Sequence, residues 1–262
     1  MKTRISLFIF AFILVSIAYI FEAEKQTFLN QILFLIFPVF AVLTGILAVK
    51  IYGLKSIAGK SLLAMTLGIA CWAIGGIIWC AYALLNIDPF PSIADVFFLL
   101  GYLLVLLGLY MEFKKAQIQL SQLKKSTIIL GLLITFVLTV IVFYFGIYMA
   151  YDSSVGFLEN VVAMSYGIAD LILIIGSLFA LLMTRAYRGG KFSEFWMIVI
   201  AVFVLNLAAD ILFAIFSVPY TENAKPYIYI DLLWIAGYLL FAYGMLDNYF
   251  HIKAIRKRIK NQ

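Results

Sequence analysis

The stretch STIILGLLITFVLTVIVFYFGIYMA (126–150) contains neither a charged residue nor a proline. A helix needs about 20 apolar residues to cross the roughly 30 Å hydrocarbon core of a membrane, and this stretch is long enough. The composition of the whole chain agrees, because 66% of the residues are hydrophobic and only 12% are charged. A soluble domain carries about twice that share of charge. We therefore predict an all-α integral membrane protein.

Eight apolar segments are long enough to be transmembrane helices. They are 5–21, 28–49, 61–86, 93–112, 126–150, 157–183, 194–217 and 227–249. The connections between them are too short for a soluble domain, so we treat 1–262 as a single membrane domain. The first segment also fits a signal peptide, but FEAEK after it lacks a small-residue cleavage site, and we expect this helix to be retained.

Basic residues predict the orientation, because cytoplasmic connections are enriched in Lys and Arg. With the N-terminus inside, all of the 19 basic residues except Lys25 and Lys225 fall on the cytoplasmic side. Both ends are therefore expected in the cytoplasm of a plasma membrane protein. This distribution accounts for the net charge of +6 without a nucleic acid partner. The stretches 114–125 and 253–260 are candidates for contact with an anionic lipid leaflet.

The fourth and eighth segments share an internal repeat. The pattern D-x5-GYLL-x3-G occurs at 95–108 and again at 231–244, and CWAIGGIIW (71–79) aligns more loosely with LNLAADILF (205–213). Each half then contains four helices, an even number, so both halves have the same orientation and a 4+4 parallel repeat is predicted. The two repeats and the basic cytoplasmic tail span 1–113, 126–250 and 251–262.

Four aspartates lie within the predicted spans, and no Lys, Arg or His lies deep in any span. They are Asp95, Asp170, Asp210 and Asp231. A carboxylate in hydrocarbon is costly, so each must be protonated, hydrated or neutralised by something that binds. We predict an outward-facing acidic and aromatic pocket for a small cationic or lipidic ligand. Its other candidate residues are Asn206, Tyr166, Trp72, Trp79, Tyr102, Trp234 and Tyr238.

The acids also have purely structural explanations. The segment from Ser92 to Asp95 fits a capping box, in which the acid bonds back to the start of its own helix. Asp210 and Asn206 are four residues apart on one helix face and are candidates for a cross-link between helices. Asp231 matches Asp95 in the repeat, which favours a shared structural role. The sequence leaves both readings open.

PFPSIADVFFLLGYLLVLLGL (89–109), together with CWAIGGIIW before it and SYGIADLILIIG (165–176) after it, resembles a multi-pass bacterial membrane region. In that family the region precedes diguanylate cyclase, phosphodiesterase or histidine-kinase domains. The resemblance covers about residues 70–250 and implies a sensory module. It departs from the family at Gly75-Gly76, where an acid often follows the first glycine. Without an output domain in this sequence, we expect a separate signalling protein at the cytoplasmic face. The sequence is also compatible with a homodimer.

Two alternatives to a sensor remain. Unpaired acids in a duplicated bundle are also typical of an ion- or proton-coupled transporter. LAADILF (207–213) and IADLILIIG (168–176) resemble the lysoplasmalogenase family, which implies an intramembrane lipid hydrolase that uses aspartates. The histidine-bearing segment of that family is missing here. The sequence is therefore compatible with a sensor, a transporter or a hydrolase.

No cofactor or metal is expected from the sequence. The single histidine, His251, lies at a membrane edge and argues against bis-His haem and di-iron sites. The last span, 227–249, contains no lysine for a retinal Schiff base. Cys71 and Cys80 fall on opposite faces of one helix, so we expect two packed free thiols.

Overall fold

The computed structural model describes residues 2–22, 28–85, 87, 90–116, 125–186, 190–216, 219–220 and 227–261. All regular secondary structure in these ranges is helical, and eight helices have 18 residues or more. They are α1 (Lys2–Glu22), α2 (Phe28–Tyr52), α3 (Ile57–Leu84), α4 (Ile93–Ala116), α5 (Lys125–Val142), α6 (Phe157–Ala186), α7 (Lys191–Ile215) and α8 (Asp231–Lys260). The prediction of an all-α protein is confirmed.

Six of these helices, α2 to α7, are long and apolar enough to cross a membrane, counted over the described residues. The α5 span has the highest mean hydropathy, 2.8. α1 contributes a shorter apolar stretch, Phe8–Ala18, and α8 combines an apolar half with Asp231, Asp247 and a basic end. The multi-pass membrane class is confirmed. The count of eight spans and the orientation remain predictions.

Some of the sequence predictions concern residues outside the described ranges. They are Lys25, Lys124, Arg188, Lys225 and the segment 117–124. Within the described part, Cys71 is partly exposed and Cys80 is buried, and both are free thiols, as predicted.

Helices α3 and α4 pack at close range because glycines leave room between their backbones. A Cβ atom at Gly101 would lie 2.3 Å from the Trp72 ring. Two turns further along α4, a Cβ atom at Gly108 would lie 2.7 Å from the backbone oxygen of Ser61. The Ser61 hydroxyl in turn donates a 2.7 Å hydrogen bond to the Gly108 carbonyl. Small residues at helix contacts favour tight packing in membranes, where lipid tails compete with apolar side chains.

Helices α7 and α8 pack in the same manner. A Cβ atom at Gly237 would lie 2.8 Å from the amide nitrogen of Asn206, and one at Gly244 would lie 3.1 Å from Ile198. The repeat pattern in the sequence aligns these two glycines with the two of α4. Close approach of α8 to α7 therefore uses the same register as close approach of α4 to α3.

The remaining contacts lie both within and between the two halves of the chain. α2 packs against α3 and α8, whereas α6 packs against α7 and α4. At the end of α2 the Tyr52 hydroxyl donates a 2.7 Å hydrogen bond to Asn248 of α8. α1 lies against α2 and α8, and α5 lies mainly against α6. α5 exposes large apolar side chains such as Leu132 and Val137, which suits a helix that faces lipid.

A fully buried layer crosses the half of the bundle in which α4 has its basic end. Its members, each at most 2% exposed, are Met65, Ile69, Val105, Leu109 and Met245. We refer to these five residues as the packed layer. They come from α3, α4 and α8, so the layer lies at the meeting point of both halves.

The connection between α5 and α6 is compact. α5 continues as a π-helical turn, Phe143–Tyr148, in which Gly146 approaches Gly167 of α6. The Asn160 amide donates to the Asp152 carbonyl over 2.8 Å, and its oxygen accepts from the Asp152 amide over 2.8 Å. Hydrogen bonds from the hydroxyl and the amide of Ser154 hold the pKa of the exposed Asp152 carboxyl below its usual value.

Gly101→Ala tests the close approach of α3 and α4. The added methyl group would overlap the Trp72 ring and the backbone oxygen of Gly68, which lies 2.9 Å from the Cβ position. Overpacking of this kind costs about 1–3 kcal/mol of unfolding free energy. Reversible unfolding of the purified protein in mixed micelles measures the loss. Gly131→Ala is the matched control, because its methyl group would meet only Leu178 at 3.6 Å. Equal stability of the two variants would contradict the prediction.

Candidate acidic binding site

Asp95 lies at the start of α4 and makes two kinds of hydrogen bond. Its Oδ2 accepts from the Ser92 amide over 2.6 Å, while the Ser92 hydroxyl accepts from the Ala94 amide over 3.1 Å. These bonds satisfy free amides at the helix start, so the predicted capping box is confirmed. Its Oδ1 accepts a 2.5 Å hydrogen bond from the Tyr166 hydroxyl of α6. Asp95 therefore caps its own helix and also holds α6.

Asp210 joins three helices. Its Oδ2 accepts a 2.8 Å hydrogen bond from the Tyr102 hydroxyl of α4, and its Oδ1 accepts a 2.9 Å hydrogen bond from the Trp234 indole of α8. Each oxygen of this α7 carboxyl therefore has a donor from a different neighbouring helix. The cross-link that the sequence suggested for Asp210 and Asn206 is formed by Asp210. Asn206 donates instead to the Val202 carbonyl of its own helix over 2.8 Å.

Asp170 completes the group from α6. Its carboxyl lies beside the carboxyl of Asp210, close enough for the two groups to interact. Two buried carboxyl groups this close disfavour a second negative charge, so the pair is expected to hold one proton. Asp170 is 4% exposed, and its Oδ1 has no hydrogen-bond partner among the described residues. A buried acceptor without a donor is uncommon and points to a group that the described residues do not supply.

Aromatic side chains enclose this acid pair. The Trp72 ring meets Tyr102 edge-on at 5.2 Å, and the Trp72 indole donates to the Phe98 carbonyl over 3.0 Å. Tyr238 is 7% exposed and lies within electrostatic range of Asp210, as does Tyr166. The carboxyls of Asp95, Asp170 and Asp210 therefore belong to one group. We name the three aspartates with Tyr102, Tyr166 and Trp234 the acid cluster.

Three of the candidate residues from the sequence belong neither to the acid cluster nor to the rings of Trp72 and Tyr238 beside it. Asp231 accepts a 2.7 Å hydrogen bond from the Tyr220 hydroxyl. The Tyr220 ring lies edge-on to the Trp234 ring, with the ring centroids 6.5 Å apart. Asn206 lies against Gly237, and Trp79 is partly exposed with no described contact to the cluster. Asp231 thus resembles Asp95 in accepting from a tyrosine but belongs to a separate contact.

The acid cluster lies near one end of the bundle. Asp95 is two residues from the first residue of α4, and Asp210 is five residues before the last residue of α7. The rise of 1.5 Å per residue places Asp210 about 7.5 Å from that helix end. Asp170 lies deeper, near the middle of α6. The packed layer lies between the cluster and the opposite end of the bundle.

No basic side chain neutralises the cluster in the part of the chain that the structure describes. The ion pair found there is Lys115 with Glu112, 3.0 Å apart near the other end of α4. Within the same ranges, no three His, Cys, Asp or Glu side chains are placed to hold a metal ion. The proton of the acid pair, or a cation from outside the described residues, must therefore supply the balancing charge.

Two polar residues with notable surroundings, Tyr220 and Glu112, could not be identified from the sequence. Tyr220 follows Pro219 in a connection and carries no pattern that would have linked it to Asp231. Glu112 is 6% exposed, and one of its carboxyl oxygens lacks a described partner. Neither position has a local signal in the sequence.

Comparisons with family models, curated proteins and solved structures find no match for this chain. The resemblances to a bacterial sensory region and to lysoplasmalogenases therefore remain predictions.

Tyr102→Phe and Trp234→Phe test the support of Asp210. Each removes a donor to a carboxyl group, and bonds to charged groups are worth about 1.5–3 kcal/mol in stability. We expect each variant to lower the free energy of unfolding by roughly that amount. Tyr110→Phe is the control on the same helix, because Tyr110 is 49% exposed. The prediction is wrong if Tyr102→Phe is as stable as Tyr110→Phe.

Proposed function

We propose that this protein is a receptor-type membrane module that binds a small organic cation at the Asp170–Asp210 pair and signals through a separate cytoplasmic protein. The observation that carries the proposal is the buried Oδ1 of Asp170, which lacks a described donor. Asp210 already receives the donors of Tyr102 and Trp234. Asp170 is therefore the group that can accept from a ligand.

The charge of the cluster favours a cation with N–H groups. Three carboxyls share the cluster without a described basic partner, and a bound ammonium would both neutralise charge and donate to Asp170. Aromatic rings such as Trp72 and Trp234 also favour cations near their faces. A quaternary ammonium would supply the charge but no hydrogen-bond donor. Primary amines are thus the expected class.

The packed layer favours a binding site that opens to one side only. Met65, Val105 and Leu109 fill the space beyond Tyr102, and interiors packed to this degree resist passage of polar groups. The cluster lies near the helix ends that the positive-inside rule assigns to the outside. An extracellular amine is therefore the proposed ligand, and rearrangement of the two halves is the proposed signal.

The proposal includes eight membrane spans with both ends in the cytoplasm and a parallel repeat. The contact scheme supports the repeat, because exchanging α1–α4 with α5–α8 turns the α2–α8 contact into the α6–α4 contact and α3–α4 into α7–α8. The glycine register supports it as well, since Gly101 meets Trp72 as Gly237 meets Asn206. The glycines are 136 residues apart in the sequence, and Trp72 and Asn206 are 134 apart, the offset at which their two segments align.

The repeat also helps to separate structure from function at the acid pair. The repeat alignment places Gly76 opposite Asp210, and Gly76 lies near Leu35 and Phe34, at 3.4 and 3.7 Å from its Cβ position. The same helix contact is therefore apolar in the first half. Because packing at this position does not need two acids, the Asp170–Asp210 pair is better explained by function.

Single cysteines test the orientation. Ser153→Cys should react with a membrane-impermeant maleimide on intact cells, since it lies in the exposed connection between α5 and α6. Lys55→Cys, exposed after α2, should react only after permeabilisation. The parent chain is the control, because Cys71 and Cys80 lie within α3. The reverse pattern would overturn the proposed topology.

Amine binding is tested on protein in nanodiscs with n-butylamine as the probe and tryptophan fluorescence as the readout. Trp234 donates to Asp210 and should report occupancy, so Trp234→Phe should remove the signal change. Asp170→Asn removes the accepting carboxylate and should weaken binding by about tenfold to a hundredfold, the equivalent of one charge-assisted hydrogen bond. If the ammonium displaces the shared proton, affinity should also rise with pH by up to about tenfold per unit.

Asp231→Asn is the matched control for this experiment, because Asp231 bonds to Tyr220 outside the cluster and the change in charge is the same. It should bind n-butylamine as the unsubstituted protein does. Tetramethylammonium should bind more weakly, since it has no N–H donor. Binding that is equal in Asp170→Asn and Asp231→Asn, or an unsubstituted protein that binds no amine, would overturn the proposal.

A hydrolase is the second candidate, and the acid pair itself favours it. Two carboxyls that share a proton form the acid and base of aspartic proteases. A lipid substrate would then react near Asp170. Loss of lysophospholipid or lysoplasmalogen turnover in Asp170→Asn and Asp210→Asn would support this function, and an inactive unsubstituted protein would exclude it for these substrates.

A coupled transporter is favoured by the symmetric contact scheme alone. Flux of protons, sodium or n-butylamine into proteoliposomes separates it from the receptor. Transport that Asp170→Asn abolishes would replace the receptor proposal, whereas binding without flux supports it.

A further inference from the structure

The end of α8 extends beyond its neighbours in the bundle. The helix has 30 residues and no Pro or Gly after Gly244, so it spans about 45 Å, more than the hydrocarbon core requires. α2 ends at Tyr52, beside Asn248. Residues 253–261 are exposed. We name residues 251–260 the α8 extension.

An apolar stripe runs along this extension. Ile252, Ile255 and Ile259 are spaced by three and four residues, which places them on one face of the helix. The same spacing leads back to Met245 and Asn248, both of which are buried in the bundle. The stripe therefore continues an interface that α8 already uses. Beyond Ile252 it is uncovered, and Ile255 and Ile259 are 38% and 66% exposed.

Arginines and lysines occupy different positions around the stripe. At 100° per residue, Arg256 lies on one side of the isoleucines and Arg258 on the other. The lysines lie on the far face: Lys253, Lys257 and Lys260. In heptad terms the isoleucines occupy positions a and d, and the arginines occupy e and g, the positions that select a partner helix by charge.

We propose that the α8 extension is a docking site for one amphipathic helix of a partner protein that carries acidic residues beside its apolar stripe. Arginine forms two parallel hydrogen bonds with a carboxylate, which suits the flanking positions. A second copy of this chain is disfavoured, because it would bring arginines opposite arginines. The inference rests on the proposed signalling function, since it names the chemistry of the cytoplasmic partner.

The test uses full-length protein in nanodiscs of zwitterionic lipid and no amine, so that docking and ligand binding can fail separately. The probe is a synthetic helical peptide with isoleucine and leucine along one stripe and glutamate on both flanks. The comparison peptide has lysine at the flanks. We expect the glutamate peptide to bind about tenfold more tightly, because flanking charges set partner choice in paired helices.

Two double variants with the same change in charge test the register. Arg256→Glu with Arg258→Glu should reverse the preference towards the lysine peptide. Lys253→Glu with Lys257→Glu should keep the preference for the glutamate peptide, because these lysines point away from the stripe. Ile255→Asn with Ile259→Asn should abolish binding of both peptides. All of these side chains are exposed, and circular dichroism checks that each variant stays folded.

Several results would overturn the proposal. The first is that the glutamate and lysine peptides bind equally, or that neither peptide binds. The second is that the arginine and lysine double variants change peptide binding equally. Anionic lipid is the main competing occupant of the stripe. A spin label at Ile259→Cys distinguishes lipid from a partner helix. If the stripe binds anionic lipid, adding phosphatidylglycerol would shield the label from a water-soluble relaxation agent. The label should stay accessible if the extension leaves the membrane as a docking helix.

Discussion

The structure depends on the cost of placing carboxyl groups in a medium that cannot solvate them. Asp95, Asp170 and Asp210 lie among helices with a predominantly apolar surface, and no described basic residue offsets their charge. The protein reduces this cost with hydroxyl and indole donors from other helices, which fixes α4, α6, α7 and α8 against one another. The hydrogen bonds of the acid cluster thus connect both halves of the chain at one end of the bundle.

Close helix packing is the second feature on which the architecture depends. Gly101 and Gly108 let α4 approach α3, and Gly237 and Gly244 do the same for α8 and α7. In a membrane, apolar side chains gain little by leaving lipid, so contact area and hydrogen bonds decide which helices associate. A tyrosine follows the first glycine of each pair, Tyr102 in α4 and Tyr238 in α8. Tyr102 donates to Asp210. Gly76, which the sequence pattern aligns with Asp210, instead lies near the apolar side chains of Leu35 and Phe34.

The sequence predicted the helices well because length and apolar composition alone decide whether a segment can cross a membrane. It also predicted the capping box at Ser92 and Asp95, which is a local pattern of four residues. It did not predict that Tyr166 would bond to Asp95, 71 residues away, because hydropathy does not determine how each helix is rotated. For the same reason the sequence listed Asp231 with the other acids, although its partner is Tyr220.

A single continuous helix links the two proposed sites. α8 begins beside the acid cluster, where Trp234 donates to Asp210, and it ends in the stripe that carries Ile255 and Ile259. Because an α-helix without proline is stiff over this length, a tilt or rotation at Trp234 would move the far end as well. The packed layer, through Met245, holds α8 between these points and would act as the pivot. Under the proposed function, an amine at Asp170 would change the charge of the acid pair and thus the strength of the Trp234–Asp210 bond, and α8 would carry that change to its far end.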